Sequence, residues 1–97
     1  MDHLQFEWDK RKATSNAKKH GVTFDEAKTV FFDEFAIQYF DPDHSSEEDR
    51  FILLGLSHTL STIVVCHCFR EQDTTVRIIS ARKADKLETN VYWNNRS

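Results

Sequence analysis

The sequence predicts an α+β domain in which a helical hairpin packs on a three- to four-stranded antiparallel sheet and a further helix ends the chain. Two helical patterns come first, joined by only two or three residues, and apolar runs of strand length then follow one another across short turns. Short connections demand antiparallel pairing, and the helices must cover one face of the sheet. The other face is left open, so it is the natural place for a binding surface.

Helix boundaries mark the beginning of the chain. Phe6–Asp9 is typical of a short strand that ends in a helix cap, because the Asp9 carboxylate can accept hydrogen bonds from the first free amides of a helix. That helix is predicted to run from Lys10 to about His20. Gly21 then supplies the left-handed residue with which helices commonly end.

A capping-box pattern predicts the start of the second helix. Thr23 is followed three residues later by Glu26, a spacing at which the two residues can satisfy each other's free amides. This helix is predicted to end at Asp33 and Glu34. It packs close to the first helix because the connection is so short.

The rest of the chain is predicted to form the sheet and a last helix. The third predicted strand is apolar on both faces, as expected for a central strand. The last strand is a β-branched run that ends beside two cations, Arg82 and Lys83. The predicted strands are Phe35–Phe40, Arg50–Leu56, Thr62–Phe69 and Thr75–Ala81, and the predicted helix is Lys83–Trp93.

Length and charge limit the possible functions. The 97 residues are enough for one domain, spanning 1–97, with a modest core. Residues 33–49 hold seven acids and no Lys or Arg, whereas residues 50–97 hold seven bases against four acids. The net charge of −3 argues against non-specific nucleic-acid binding by bulk charge. Local basic clusters can still bind a phosphate backbone.

Nothing in the sequence is typical of a membrane span or a signal peptide. The longest apolar runs, such as Ile63–Cys66, are far shorter than the roughly 20 residues that a span needs, and Met1–Asp9 has no apolar core. We therefore expect a cytoplasmic protein with no membrane partner. Cys66 and Cys68 agree with this, since two residues apart on a strand they lie roughly 6.5–7 Å apart, at or beyond the limit for a disulfide.

Several kinds of enzyme site are disfavoured by the residue pattern. A thiol in an apolar strand is normally inert, and neither Gly lies in a phosphate-binding pattern. No CxxC or HExxH spacing suggests a metal site. We therefore predict no metal and no cofactor. The histidines considered as metal ligands are His3, His20, His44, His58 and His67.

Cations on the strands and helix ends remain as candidates for chemistry. A metal-free ribonuclease that uses the RNA 2′-hydroxyl needs a base, fixed positive charge on the phosphate and a proton donor for the leaving oxygen. Arg suits the phosphate because its planar fork binds two oxygens, and the ordinary pKa of His67 suits proton transfer. A plain protein-interaction domain explains the same cations. The candidates are Lys12, Lys19, Arg50, Arg70, Arg77, Arg82 and Lys83, with His20 and His67.

Two blocks of sequence closely resemble the BrnT family of bacterial toxins. The first is Phe-Glu-Trp-Asp at 6–9 with Lys12, Asn16 and Lys-His-Gly-Val at 19–22. The second is Arg-Ile-Ile-Ser-Ala-Arg-Lys-Ala at 77–84. The resemblance continues between them through Asp-Pro-Asp-His at 41–44, and it covers the chain from about Phe6 to Tyr92.

The resemblance implies a RelE-like fold and a ribonuclease that halts growth by cutting RNA. It also implies a BrnA-like antitoxin that holds the toxin inactive, and binding to operator DNA only through the complex with that antitoxin. Arg77 and Arg82 would bind the phosphate, and His67 or Lys12 would transfer protons. Arg50 completes the implied catalytic set, whereas Trp8 and Asn16 are expected to be structural. The residues expected to bind substrate are Lys19, His20, Arg70 and Lys83.

This chain also departs from the family pattern. The segment after Lys83 is often strongly basic in relatives, but here it reads Ala-Asp-Lys-Leu-Glu-Thr-Asn-Val-Tyr. The alternative hypothesis is therefore a catalytically weak or inactive module that binds its antitoxin. Direct DNA binding is a third interpretation, and the acidic net charge disfavours it.

Overall fold

A five-stranded sheet forms the centre of residues 4–97, the part of the chain that this computed structural model describes. The strand order is β1-β5-β4-β3-β2, and β2 to β5 pair antiparallel, as their short connections predict. β4 lies in the middle, in agreement with its two apolar faces. The strands are β1 (Gln5–Glu7), β2 (Ile37–Phe40), β3 (Phe51–Leu56), β4 (Thr62–Arg70) and β5 (Thr75–Lys83).

The strand count of three to four is corrected at one edge of the sheet. β1 joins the sheet beside β5 and runs parallel to it, with Gln5 opposite Thr75 and Glu7 opposite Arg77. Parallel neighbours need a long crossover connection, and the rest of the chain between β1 and β5 supplies it. A strand of three residues carries no sequence signal of its partner, which is why the pattern did not predict this pairing.

The helical hairpin forms, but its second α-helix ends at Thr29 rather than at Asp33 and Glu34. The Asp9 carboxylate accepts from the amides of Arg11 at 2.8 Å and Lys12 at 3.1 Å, and the helix ends at Gly21, which has a φ of 69°. The second helix begins after Thr23, whose hydroxyl accepts from the Glu26 amide at 3.0 Å. The helices are α1 (Lys10–His20) and α2 (Phe24–Thr29), and a 3₁₀ turn at Val30–Phe32 follows.

The hairpin covers one face of the sheet and forms the main core there. Val22, Phe24 and Ala27 from the hairpin are buried against strand residues that include Val65 and Ile78. We call this side the helix-covered face. Burial of such a set of apolar side chains is the main source of stability in a domain of this size.

The last helix, α3 (Lys86–Arg96), packs at one end of the opposite face. Its Tyr92 is fully buried with Leu54 and Val64, and the Tyr92 hydroxyl donates to Asp33 at 2.6 Å. The predicted start at Lys83 is wrong. β5 continues to Lys83, and Asp85 and Glu88 form the capping box that begins the helix. No helix within residues 4–97 is long and apolar enough to cross a membrane.

Asn16 joins α1 to the free edge of β5, the helix–strand role expected of it. Its side-chain amide donates to the Ala81 carbonyl at 2.8 Å and to the Val22 carbonyl at 3.0 Å, and its oxygen accepts from the Ala81 amide at 3.0 Å. One buried side chain thus satisfies three backbone groups that would otherwise lack partners.

Candidate functional site

Beyond α3, the second face of the sheet carries arginines. We call this part the arginine face, and its members are Arg50, Arg70, Arg77 and Arg82. Each lies near a glutamate: Arg77 contacts Glu7 at 2.8 Å, Arg70 contacts Glu48 at 3.1 Å, and Arg50 lies 3.9 Å from Glu48. Arg82 makes a two-pronged contact with Glu88, at 2.8 Å for both pairs of atoms.

A pocket of about 280 Å³ lies on this face between the segment 41–50 and the end of β5. Ile52, Cys66 and Ser80 lie side by side across β3, β4 and β5 and form its floor. Its walls bring together two of the arginines and two histidines with one acid. They are Arg50, Arg82, His20, His44 and Asp41.

Local hydrogen bonds brace the 41–50 segment from within. The Asp41 amide donates to the Arg50 carbonyl at 2.9 Å, and the Arg50 amide donates to the Ser45 hydroxyl at 2.9 Å. These bonds close the β2–β3 connection, whose Asp, Pro and Ser residues at 41–46 are typical of a turn. The pocket wall is therefore a braced turn.

A bulge in β5 shapes the opposite wall. Cys66 pairs with Ser80 and His67 pairs with Ile78, so Ile79 is an extra residue in the ladder. Bulges re-aim side chains and occur often beside active sites. The end of α1 brings His20 to this bulge, where His20 lines the pocket together with Ile79 and Ser80.

The electrostatics of the pocket favour an anion. The Arg50 Nε is buried and has no hydrogen-bond partner within residues 4–97, so this donor is available to a bound acceptor. Arg82 is partly exposed and held by Glu88, and the hydrogen bond from Arg82 lowers the pKa of the Glu88 carboxyl below its usual value. The two guanidinium groups thus lie on two sides of one small cavity, each beside a glutamate.

His67 does not lie with these arginines, so the expectation of a shared site is wrong. Its ring is fully buried on the helix-covered face, 4.8 Å from the Phe31 ring and 5.3 Å from the Phe69 ring between centroids. Burial lowers the pKa of His67 to about 4. Since neighbours on a strand alternate between faces, His67 points away from the pocket that Cys66 lines.

The other predicted site residues are spread around the pocket. Lys12 and Lys19 lie along α1 on a shallow groove that continues from His20. Lys83 is exposed at the end of β5. Burial raises the pKa of Glu26, but hydrogen bonds from Thr59 and Ser57, with smaller effects of the charges on His58 and Lys83, lower it below its usual value. Arg70 and Arg77 share the arginine face but do not line the pocket.

The two cysteines are free, as expected. Burial raises the pKa of the Cys66 thiol, with Arg50 acting in the opposite direction, and burial also raises that of Cys68. Both are therefore thiols rather than thiolates at neutral pH, and a nucleophilic role stays disfavoured. Within residues 4–97 no three His, Cys, Asp or Glu side chains meet in a metal-binding group, and His3 lies outside these residues.

The Asp41–His44 pair is the part of the site that sequence reasoning missed. His44 Nδ1 lies 2.9 Å from Asp41 Oδ2 across a 3₁₀ turn at Pro42–His44, and Asp41 is only 8% exposed. The signal that could have found it is the spacing, since an Asp and a His three residues apart across a turn can meet. The sequence does not show that this turn folds onto the arginine face.

The fold and the pocket define a small α+β protein with arginine side chains on two sides of an open cavity. The family described as "Ribonuclease toxin, BrnT, of type II toxin-antitoxin system" matches residues 8–88, and the chain belongs to this family. The resemblance of its two sequence blocks is thereby confirmed.

A solved structure agrees with this assignment. The 1.1 Å crystal structure of the Brucella abortus ribonuclease toxin BrnT superposes with a TM-score of 0.65 at 22% identity, covering 86% of this chain and 99% of that one. At this identity the similarity supports the shared α+β fold, and it confirms the predicted fold class. No curated protein matches the chain in sequence.

Proposed function

We propose that this chain is an endoribonuclease that cleaves RNA without a metal, at the pocket between Arg50 and Arg82. The observation that carries the proposal is the pocket itself, where two arginines and His20 surround one cavity on the arginine face. A ribonuclease toxin is also what the family description states. The protein would act in the cytoplasm, where cutting RNA stops translation and growth.

The reaction would use the 2′-hydroxyl of the substrate as the nucleophile. Its oxygen forms a bond to the adjacent phosphorus while the bond to the 5′-oxygen of the next nucleotide breaks. The 2′-proton passes to a base and the leaving oxygen takes a proton from an acid. The products are a 2′,3′-cyclic phosphate and a 5′-hydroxyl, so no water or cofactor enters this step.

Each group in the pocket suits one of these tasks. Arg50 and Arg82 would hold the non-bridging phosphate oxygens and stabilise the charge that grows on them. His20 lies at the pocket edge, where an imidazole could pass a proton to or from the substrate. Lys12 and Lys19 extend positive charge along α1 from His20 and would hold the RNA backbone that continues beyond the pocket.

The proposed partner is a BrnA-like antitoxin that binds the toxin and keeps it inactive. Operator DNA would be bound only by the complex, through the antitoxin. The net charge of −3 supports this division, because the isolated chain has no excess positive charge for binding duplex DNA.

The test is cleavage of a labelled RNA by the purified chain in the presence of a chelator. We expect cyclic-phosphate products from the wild type, and a loss of about 100-fold or more in Arg82→Ala and Arg50→Ala, the size seen when one charge-stabilising donor is removed. Lys86→Ala is the matched control, since it removes one exposed positive charge near Arg82 and should leave the rate within about twofold.

Three results would contradict the proposal in different ways. Full activity in both arginine variants would place the site elsewhere. Loss of cleavage on chelation would overturn the metal-free mechanism. A folded wild-type chain that binds its antitoxin but never cuts RNA would instead establish the inactive binding module.

A further inference from the structure

We propose that Asp41 and His44 form a catalytic pair in which His44 is the general base that removes the 2′-proton and Asp41 positions it. This inference rests on the proposed ribonuclease function and supplies the proton acceptor that this reaction needs. It gives a role to Asp41 and His44, neither of which is among the catalytic candidates predicted from the sequence.

The first support is the placement of the two side chains. His44 lines the same pocket as Arg50, Arg82 and His20, so a phosphate held by the arginines would share the cavity with its ring. The His44 side chain is 66% exposed, whereas the Asp41 side chain is only 10% exposed beneath it. A substrate can therefore reach the imidazole but has little access to the carboxylate.

The second support is the direction of the hydrogen bond. A carboxylate only accepts, so the 2.9 Å contact requires that His44 Nδ1 carries the proton and donates it to Asp41 Oδ2. In the neutral ring this leaves the Nε2 lone pair free to accept, and no residue within 4–97 hydrogen-bonds to it. The pair thus fixes the tautomer that a general base needs.

The charge of Asp41 also favours the base role over the acid role. When His44 accepts a proton, the imidazolium lies 2.9 Å from a shielded carboxylate, which stabilises the charged form. A general acid must give its proton away, and a carboxylate partner opposes that. His20, which has no such partner among the described residues, is the remaining histidine of the pocket and suits the opposite role.

Other charged groups face His44. They are Arg50 and Arg82 in the pocket, and Glu47, Glu48 and Asp43 on the neighbouring turn. These groups are unchanged in an Asp41→Asn variant. A change in the pH profile of that variant therefore reports on the Asp41–His44 contact.

The test compares His44→Ala and Asp41→Asn with wild type on two RNA substrates. One carries the ordinary 5′-oxygen leaving group, and the other carries a 5′-bridging sulfur, which leaves without an acid. We expect His44→Ala to lose about 100-fold or more on both substrates, because a missing base is not replaced by a better leaving group. His58→Ala, an exposed histidine outside the pocket, is the matched control.

Asp41→Asn keeps the shape of the side chain but removes its charge. We expect a smaller loss, of about tenfold or more, and a fall in the apparent pKa of the ascending limb of the pH–rate profile, because the imidazolium loses its partner. A role limited to bracing the turn would lower the rate without moving that limb. Circular dichroism and thermal unfolding show whether both variants stay folded.

The outcomes separate this inference from the proposed function. Activity of His44→Ala within twofold of wild type, or its restoration by the sulfur leaving group, would overturn the base assignment while Arg82→Ala remains inactive. An unmoved limb in Asp41→Asn would overturn the positioning role. A wild-type chain that cleaves neither substrate would overturn both proposals together.

Discussion

The two faces of the sheet carry opposite chemistry, although they are built from the same strands. On the helix-covered face Val65 and Ile78 are fully or almost fully buried, and His67 on the same face is buried as well. On the arginine face Arg50 and Arg82 border an open pocket. The alternation of a strand decides which residues share a face, but the helices decide which face is closed. Substitutions on the two sides should therefore fail in different ways.

The largest effect on stability is expected from Asn16, which ties α1 to β5 at the border between the faces. Asn16→Ala leaves the Ala81 amide, the Ala81 carbonyl and the Val22 carbonyl without their side-chain partner. At about 1–3 kcal/mol for each buried unsatisfied group, the free energy of unfolding should fall by about 4 kcal/mol. Urea denaturation measures this.

Thr14→Ala is the control for Asn16. Thr14 is exposed on the same helix and its hydroxyl bonds only to the Lys10 carbonyl. Since Ala is the better helix former at both positions, helix propensity alone would make both variants slightly more stable. An Asn16→Ala protein as stable as wild type would show that the helix–strand bonds contribute nothing.

His67 should make the helix-covered face sensitive to acid. Burial lowers the pKa of His67 to about 4 from the 6.5 of an ordinary histidine. As the pH falls below 6.5 the unfolded chain binds a proton that the folded chain refuses, so stability declines until the pH reaches the folded pKa. The total loss is about 3 kcal/mol, and above pH 6.5 the group has no effect.

The check is unfolding free energy against pH for wild type, His67→Leu and His58→Leu. In His67→Leu, the part of the fall in unfolding free energy between pH 6.5 and 4 that His67 causes should disappear. His58→Leu, which changes an exposed histidine, should keep it. Identical pH dependence in wild type and His67→Leu would mean that His67 titrates normally.

These contrasts explain how far the sequence could predict the fold. Local signals worked where the cause is local: Asp9, Gly21 and Thr23 bound the helices as their side chains and backbone require. The capping box predicted for Thr23 and Glu26 is only half formed, however, because only the bond from the Glu26 amide to the Thr23 hydroxyl is made. The Glu26 carboxylate accepts from Ser57 and Thr59, at 2.7 Å each, and so ties α2 to the turn between β3 and β4. That partner is distant in sequence and no local pattern shows it.

The candidate site was harder to predict for the same reason. β4 is apolar on both sides, so its sequence cannot say whether His67 or Cys66 faces the helices. Arg50 and Arg82 are identifiable as cations, but only the register of β3, β4 and β5 brings them to one cavity. His44 lies on a turn whose contact with the sheet depends on the bonds between Asp41, Ser45 and Arg50.

The smallest effect on stability is expected on the arginine face, from Glu88→Gln. Glu88 occupies both outer nitrogens of Arg82, at 2.8 Å each, so a phosphate must displace it before Arg82 can bind. Gln keeps the oxygen that accepts from the Asp85 amide, and the capping box survives. A partly exposed ion pair of this kind contributes about 1 kcal/mol or less. The unfolding free energy should therefore change little, whereas kcat/KM for RNA should rise by up to about fivefold.

Glu71→Gln is the control, because it makes the same change in net charge on an exposed turn. The ratio of the kcat/KM values of the two variants therefore separates the release of Arg82 from a general attraction of RNA. Lower activity in Glu88→Gln than in Glu71→Gln would mean that Glu88 holds Arg82 in its productive position, and the pair would then belong to the site rather than compete with its substrate.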